Sequence, residues 1–544
     1  MKKKKMIQYA ICLLAGLIAA SVNGCSDKHR FDVNCEVTDP EETPVEDDTP
    51  IRTETATYYL DSAAGSDDAD GLSEAKAWKT LSKLQGIKLL AGDKVLLRRG
   101  STFNEVLIVN EAAGTSKQRV TVSTYGTGDK PKIVAPDGSQ YAVQLRNSVY
   151  TTIEDLDITN YGSNPELKDR MGVNIHLQDF GKACGTELKG LDIHDINGVL
   201  WKGQGAGVAI RFTLSKNTII NYWDGILIEG CTIRRCTRNG ISFAGNYDRS
   251  HWYPHLNVVI RENLVEEVPG DGIVVDACDG AIVEYNLMRQ CTDPWGEEHN
   301  ASAGMWPWSS DNTIIQFNEV IGQKTTWDAQ GFDADYNNLG TVIRYNYSHD
   351  NYGGFLLICD DGSARKTYSA GNGGSRIYGN VSYNDGIRPK KRAKDQVWFS
   401  PLIHISGPAE DCVVYNNVLC RTKRPASVPN QDVRFIVSNS WGGYPTDVEV
   451  RSNLFYSEES SAAFSVINKG NVVMKGNWYM GLSDSAIATS DDKEPKGENA
   501  SFKKLLDDNG SLEEALRKGF LREVKTKTAT IITVDKDKIN QFFK

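Results

Sequence analysis

Ile343-Arg344-Tyr345-Asn346 is one copy of a short phrase that recurs through the chain: an apolar residue, two variable residues, then asparagine. It returns as Ile260-Arg261-Glu262-Asn263, Val283-Glu284-Tyr285-Asn286, Ile315-Gln316-Phe317-Asn318 and Ile377-Tyr378-Gly379-Asn380. The last copies are Val414-Tyr415-Asn416-Asn417, Val450-Arg451-Ser452-Asn453 and Met474-Lys475-Gly476-Asn477. Earlier copies put Leu156, Leu191 and Cys231 where the asparagine falls. The intervals between these eleven positions run from 23 residues (Asn263 to Asn286) to 40 (Leu191 to Cys231). An irregular period with a fixed corner residue marks a solenoid, because loops vary while the strands must stack. Asparagine tolerates the left-handed backbone of a tight corner. Stacked in successive coils, its side chains can hydrogen-bond along a ladder.

Outward from the phrase, a second strand precedes each copy and usually starts at glycine. Examples are Gly240-Ile241-Ser242-Phe243, Gly272-Ile273-Val274-Val275-Asp276 and Gly304-Met305-Trp306-Pro307-Trp308. The series continues with Gly331-Phe332-Asp333-Ala334-Asp335 and Gly354-Phe355-Leu356-Leu357-Ile358. Side chains alternate along a strand, so the first and third residues after glycine point inward and the second and fourth outward. The expected fold is all-β: a parallel β-helix of about eleven coils, a rod roughly 50 Å long at about 4.8 Å per coil. Its first end is covered by a cap running from Leu60 through the amphipathic segment around Trp78 to Leu84 and on to Gly100. After Tyr479 the chain turns polar, and Ser511 with Glu514 reads as a capping box opening a short C-terminal helix.

The bulk numbers agree with a large folded body. The chain has 544 residues, 40% hydrophobic and 24% charged, with 49 Gly, 22 Tyr and 11 Trp. A net charge of -10 argues against nucleic acid as the partner. Lys2 to Lys5, the apolar run Ile11 to Ala20 and Ser21-Val22-Asn23-Gly24-Cys25 resemble a bacterial lipoprotein signal. That resemblance implies lipidation of Cys25 and a monomer anchored in the cell envelope. Residues 25–57 read as a disordered acidic tether, 58–480 as the β-helix with its first cap, and 481–544 as a C-terminal capping segment. The remaining cysteines have neither disulfide-framework nor zinc-site spacing and read as small buried residues.

The opening from Tyr58 resembles the entry of secreted β-helix polysaccharide lyases and glycoside hydrolases. The run Asp328-Ala329-Gln330-Gly331-Phe332-Asp333-Ala334-Asp335, followed by Tyr347-Ser348-His349-Asp350-Asn351, is similar to a recurring signature of secreted bacterial β-helix proteins. The chain thus resembles the right-handed parallel β-helix, pectate-lyase-like superfamily of carbohydrate-active proteins. The resemblance implies an oligosaccharide or polysaccharide substrate, with Asp333, Asp335 and His349 as site candidates.

Read from the residues, the outward fourth positions form a column: His176, Arg211, Ala244, Asp276, Trp308, Asp335. The outward second positions run Asn174, Ala209, Ser242, Val274, Trp306, Asp333. Acids and aromatics concentrate at mid-rod. Glycosidic hydrolysis needs one protonated carboxyl and one carboxylate. Asp333 and Asp335 stand about 7 Å apart along one strand, and Asp276 about 10 Å away across two coils, distances that favour inversion. Asp276, Asp333, Asp335 and His349 are the catalytic candidates; Trp306, Trp308, Arg211 and Asp350 are the substrate-binding ones. Trp252 and Tyr253 could extend the cleft, His349 and Asp350 could reach its edge, and His404 has no fixed register. Asp279, Asp311 and Asp361 read as turn formers.

Two alternatives stay open. A polysaccharide lyase would use a basic residue and calcium held by Asp276, Asp333 and Asp335; Arg365, Lys366 and the loop Arg388 to Arg392 supply basic groups. A non-catalytic glycan-binding protein would keep the tryptophans and tolerate loss of the aspartates. A hydrolase requires no cofactor.

Overall fold

The computed structural model describes residues 52 and 54–544, apart from 201–204, 214–218, 292–301, 363–368, 393–395, 429–432 and 467–470. Cys25 and most of the tether therefore lie outside the described residues, as do Arg365 and Lys366. Among the described residues no helix is long and apolar enough to cross a membrane.

Among the described residues, three long sheets of seventeen, twelve and thirteen strands run the length of the body. Every pairing within them is parallel and links one coil to the next; Ile315 lies between Val283 and Ile343, and Ile343 between Ile315 and Ile377. The body is a parallel β-helix. The phrase's apolar residue is the inward one, and Ile260, Ile315, Ile343, Ile377, Val414 and Val450 are all fully buried. Thirteen strands in the third sheet make thirteen coils rather than eleven. The two extra coils contain Thr102–Phe103 and Lys132–Val134, and the turns leading into them lack the phrase.

The asparagines form the expected ladder. Each Nδ2 donates to the Oδ1 of the next: Asn263 to Asn286 at 2.9 Å, Asn318 to Asn346 at 3.0 Å, Asn453 to Asn477 at 3.0 Å. Asp492 ends the ladder by accepting from Asn477 at 2.9 Å. The left-handed residue, however, is the one before the asparagine. Glu262, Tyr285, Phe317, Tyr345, Asn416 and Ser452 have φ between 53° and 57°. This placement lets the asparagine side chain turn inward to its bonds. The same left-handed position precedes the apolar corners, at Asp155, Gly190 and Gly230. Tyr285, Phe317 and Tyr345 consequently stack outside the corner, with ring centroids 5.1 and 5.3 Å apart.

Glycine at the head of the second-sheet strands is a steric requirement. A Cβ on Gly240 would meet the Gly272 carbonyl oxygen at 2.6 Å, and one on Gly304 the Gly331 oxygen at 2.2 Å. Gly354 does not continue that column. It pairs with Gln330, while Phe355 stands opposite Gly331. Leu356 and Ile358 therefore point inward and Leu357 outward, reversing the assignment made by counting from Gly354.

Single 3-10 turns at Glu74–Lys76 and Leu81–Gly86 cover the first end, burying Trp78, Leu81 and Leu84. The C-terminal segment divides its work. Residues 481–496 close the far end, with the short helix Asp484–Ala488 beside the strand Ala463–Ser465. Residues 500–544 instead run back along the flank as two helices, an antiparallel hairpin and a last helix Lys536–Phe542. Ser511 does cap the helix Leu512–Gly519, accepting from the Glu514 amide. This strap covers the stacked ring ladder: Thr533 donates to the Tyr345 carbonyl at 3.1 Å and Lys527 pairs with Glu229.

Replacing Asn346 by Leu removes four side-chain hydrogen bonds, to the Asn318 amide and Nδ2, the Ile315 carbonyl and Asn380 Oδ1. Buried groups left without partners cost about 1–3 kcal/mol each before relaxation. Asn346→Leu should therefore lower stability by roughly 2–4 kcal/mol in denaturant titration, although Leu191 is accommodated at its own corner. A loss below about 1 kcal/mol would show that the ladder is not what holds the coils.

Candidate active site

The second sheet's outer face carries the site, because its columns stack as the alternation requires. Arg211 pairs with His176, and Asp276 with Trp308. Val274 pairs with Trp306, whose next neighbour in register is Asp333. Beyond the strand Asp328–Ala334 the columns continue through Leu357 to His404 and through Cys359 to Ser406 and Asn439. Side-chain size then sculpts the surface. Ser242 and Ala244 are small, Leu357 and Ser406 modest, and Trp306 and Trp308 form a ridge between them. Two hollows result, of about 490 and 450 Å³, which share Asp271, Trp306, Asp335 and Tyr336.

The first hollow lies between Arg211 and Trp308, with Asp276 in its wall. Asp276 is 8% exposed and its Oδ1 has no hydrogen-bond partner. Burial pushes its pKa well above the usual carboxylate range, against the pull of Arg211. Burial also lowers the Arg211 pKa, and its guanidinium donates to the Ser242 carbonyl at 3.0 Å. A protonated Asp276 can donate to a ligand hydroxyl where an ionised one could only accept.

The second hollow collects Asp328 and Asp333 from the strand Asp328–Ala334 and Asp335 from just past its end. Asp335 Oδ1 accepts from Cys359 Sγ and from the Tyr336 amide, each at 2.8 Å. Asp328 and Ala329 have φ of 50° and 71°, two consecutive left-handed non-glycine residues. Ser302 opposes Asp328 while Ala303 opposes Gln330, a bulge at that point. Such strain beside a cleft is characteristic of functional positions. His404 faces outward into this hollow; burial lowers its pKa to about 4, so it is neutral, and it shares a hydrogen bond with Asn439 at 3.2 Å. Arg392 lines the same hollow.

Trp306 is a fixed wall more than an open platform. It is 5% exposed, and its Nε1 donates to Asp271 Oδ1 at 3.1 Å. Asp271 is in turn held by Arg238 at 3.0 Å, both side chains being buried. Trp308 is half-buried and turns its ring toward Tyr247 and Tyr336. Trp252 is spoken for: Arg249 stacks on it at 4.1 Å and its Nε1 donates to the Ser309 carbonyl at 3.2 Å. Asp279 and Asp311 bridge the turns of successive coils, and Asp311 also pairs with Arg249 at 2.8 Å.

The structure thus brings together Asp276, Asp333, Asp335, Trp306, Trp308 and Arg211. It does not bring His349 or Asp350 to them. His349 lies on the third sheet, around a corner from the groove, in the strand Tyr347–His349. Its ring contacts Glu319 at 3.2 Å and Asp350 at 3.1 Å. Burial pulls its pKa down, but those two carboxylates raise it to about 9. Glu319 also accepts from the Ile532 amide of the strap at 2.5 Å, so the cluster fastens the strap. Nor do Asp276, Asp333 and Asp335 converge as calcium ligands. Among the described residues the side chains grouped closely enough for one ion are Asp157, Asp192 and His194, on the third sheet.

Sequence reading missed Asp271, Asp328, Tyr336, Asn439 and Trp441. Asp328 had a signal in the quoted run that ends at Asp335. The others sit beyond strand ends or past the shift at Gly354, where counting from glycine loses the register.

The family described as right handed beta helix region matches residues 197–385, which contain most of the groove. The lacto-N-biosidase of Bifidobacterium longum subsp. longum is 27% identical over 459 residues, covering 64% of this chain and 29% of that protein. The chain therefore spans less than a third of that relative's length. The native crystal structure of a GH136 lacto-N-biosidase from Eubacterium ramulus superposes with a TM-score of 0.57 at 24% identity, covering 79% of this chain and 68% of that one. Its selenomethionine derivative gives 0.56 over the same shares. These likenesses agree on the fold, a right-handed parallel β-helix.

Because burial raises the Asp276 pKa in the native state above its unfolded value, this residue's contribution to stability declines as pH rises above the ordinary carboxylate range. Asp276→Asn keeps the shape without the ionisation. The variant should gain thermal stability over the parent as pH is raised from 4 to 8. An unchanged or reversed difference in Tm between those two pH values would show that the carboxyl is not held protonated.

Proposed function

We propose that this chain is a glycoside hydrolase that cleaves an oligosaccharide with carboxylates of the strand Asp328–Ala334 and the Asp335 that follows it. The observation that carries the reading is the convergence of Asp328, Asp333 and Asp335 in a hollow walled by tryptophan. The lacto-N-biosidase relatives support a substrate terminating in lacto-N-biose.

The chemistry needs one proton donated and one removed. A carboxylic acid protonates the leaving glycosidic oxygen as the anomeric carbon–oxygen bond breaks. A carboxylate takes a proton from the water that attacks that carbon. Asp335 serves the second role, its carboxylate held in the second hollow as Oδ1 accepts from Cys359 and Tyr336. Asp333, two residues earlier and buried beside Trp306, serves as acid. An offset of two residues in extended chain is about 7 Å, room for the attacking water, and the anomeric configuration inverts. Asp328 is the strained third carboxylate and the alternative acid. Asp276 acts as a hydrogen-bond donor that positions the sugar in the first hollow, facing Arg211 and Ser242. The reading also keeps the chain at the cell envelope, anchored through Cys25 on the strength of its N-terminal sequence.

Asp335→Asn should lower kcat on a lacto-N-biose-terminated oligosaccharide by at least about a thousandfold with KM little changed. Asp333→Asn and Asp328→Asn, measured alongside, identify the acid as whichever shows the comparable fall. Asp276→Asn should raise KM more than it lowers kcat. Mass spectrometry of the products, with and without chelator, should show one water added per cut in both cases. Unsaturated products lacking that water would sink the hydrolase, and binding without turnover would favour a glycan-binding role.

A further inference from the structure

Two loops at opposite ends of the groove carry aromatic rings that the core does not use. One follows the strand Asn239–Ser242 and holds Tyr247, 47% exposed; the other follows Arg434–Asn439 and holds Trp441, 46% exposed. Both loops are built to keep those rings in place. Ser309 Oγ and Asn337 Nδ2 donate to the Tyr247 carbonyl at 2.7 and 3.2 Å. Arg249 clamps the same loop to Asp311. The Trp441 loop docks backbone against backbone. A Cβ on Gly362 would lie 2.7 Å from the Gly442 carbonyl oxygen, and a Cβ on Gly442, φ +69°, 2.2 Å from the Asp361 oxygen. Glycine alone fits both sides of that contact.

Held this way, the rings form a relay. Tyr247 lies 5.1 Å from Trp308, Trp308 6.0 Å from Tyr336, and Tyr336 5.8 Å from Trp441, centroid to centroid. The inner pair lines the first hollow beside Asp276 and Asp335, and Trp441 stands at the rim of the second. The outer pair leaves nearly half of each side chain to water. A rigid aromatic face at a wet rim offers apolar contact area at little entropic cost, and the C–H face of a sugar ring is its complement. We infer that Tyr247 and Trp441 are outer sugar-binding platforms, each holding a ring beyond those at the cleavage point, so that the chain prefers an extended oligosaccharide to a short glycoside. This rests on the hydrolase reading above and adds length selectivity to it.

The test compares Tyr247→Ala, Trp441→Ala and the double variant on two probes: the p-nitrophenyl glycoside of lacto-N-biose and a lacto-N-biose-terminated hexasaccharide. The kcat/KM on the hexasaccharide should fall about tenfold more than that on the nitrophenyl glycoside, through KM. Tyr247→Phe and Trp441→Phe, which keep a ring, should restore most of the preference. Equal losses on both probes, or none, would overturn the platforms while leaving the hydrolase intact. Binding is read separately by titrating Asp335→Asn with the hexasaccharide and following tryptophan fluorescence; adding Trp441→Ala should weaken it about tenfold. If the parent binds the hexasaccharide without cutting it, the hydrolase reading falls and the platforms stand. Neither binding nor cleavage would overturn both. A dimer in sedimentation that Trp441→Ala dissolves, with no effect on glycan binding, would assign the rings to a second copy of the chain and overturn the inference.

Discussion

Axial register between coils is the constraint on which everything else here depends. It is set at one corner by a line of buried asparagines, each bonded to the next coil's asparagine and to a main-chain group of the coil before. Each ladder member also accepts the backbone amide of the preceding coil, as Asn346 does from Asn318 at 2.9 Å. A slip of one residue would orphan those donors and turn every strand inside out. Loops on the other two corners can then vary in length at little cost, because from Asn263 onward the ladder restarts the register at each corner.

That mechanism explains what could be read without coordinates. The phrase ending in asparagine is visible because a buried ladder tolerates few substitutes, and from it the strands and their inward residues follow. The glycine column is visible for a steric reason, the close approach of successive carbonyls. Together they were enough to place Asp276, Trp306, Trp308, Asp333 and Asp335 on one face. The reading loses its hold where the cues are absent or misleading. The first two coils lack the phrase altogether and so went uncounted. Gly354 mimics the column while sitting one residue ahead of it, which hid Leu357, His404 and the second hollow. His349 follows the phrase closely and lies one sheet too early to face the groove. No local pattern says that the last helices fold back along the flank; their partners are rings and carboxylates as much as three hundred residues away in sequence, such as Glu229 for Lys527.

Electrostatics sets the groove apart from the rest of the surface. The buried Arg238–Asp271 pair is a poor source of stability on its own, since desolvating two charges offsets most of their attraction. Its use is geometric: Asp271 also accepts from the Trp306 indole and the Ala303 amide, which fixes the ridge between the hollows. Asp276 illustrates the opposite choice. With a cation two coils away and apolar walls around it, burial outweighs that attraction and raises the carboxyl's pKa. Two acids on adjacent parts of one face thus stand in different surroundings, Asp335 against the Cys359 and Tyr336 donors and Asp276 under a desolvation that its backbone hydrogen bonds from Gly245 and Ala277 do not offset.

A solenoid separates these demands unusually cleanly. Inward columns must stay apolar and continuous, or the stack loses its core. Outward columns are bound only by the strand's alternation, so small residues can open a hollow at one coil and a bulky one can close it at the next. The site uses this freedom on a single sheet: Ser242 and Ala244 open, Trp306 and Trp308 divide, Leu357 and Ser406 open again. Because the inward neighbours Ile241, Met305, Phe332 and Ile403 are undisturbed by those choices, groove shape and coil stability answer to different residues. The coupling that remains runs through the bulge at Asp328 and the glycine contact under Trp441, the two places where the main chain itself departs from the repeat. The candidate groove borders those departures, where the coil no longer presents the same surface at every level.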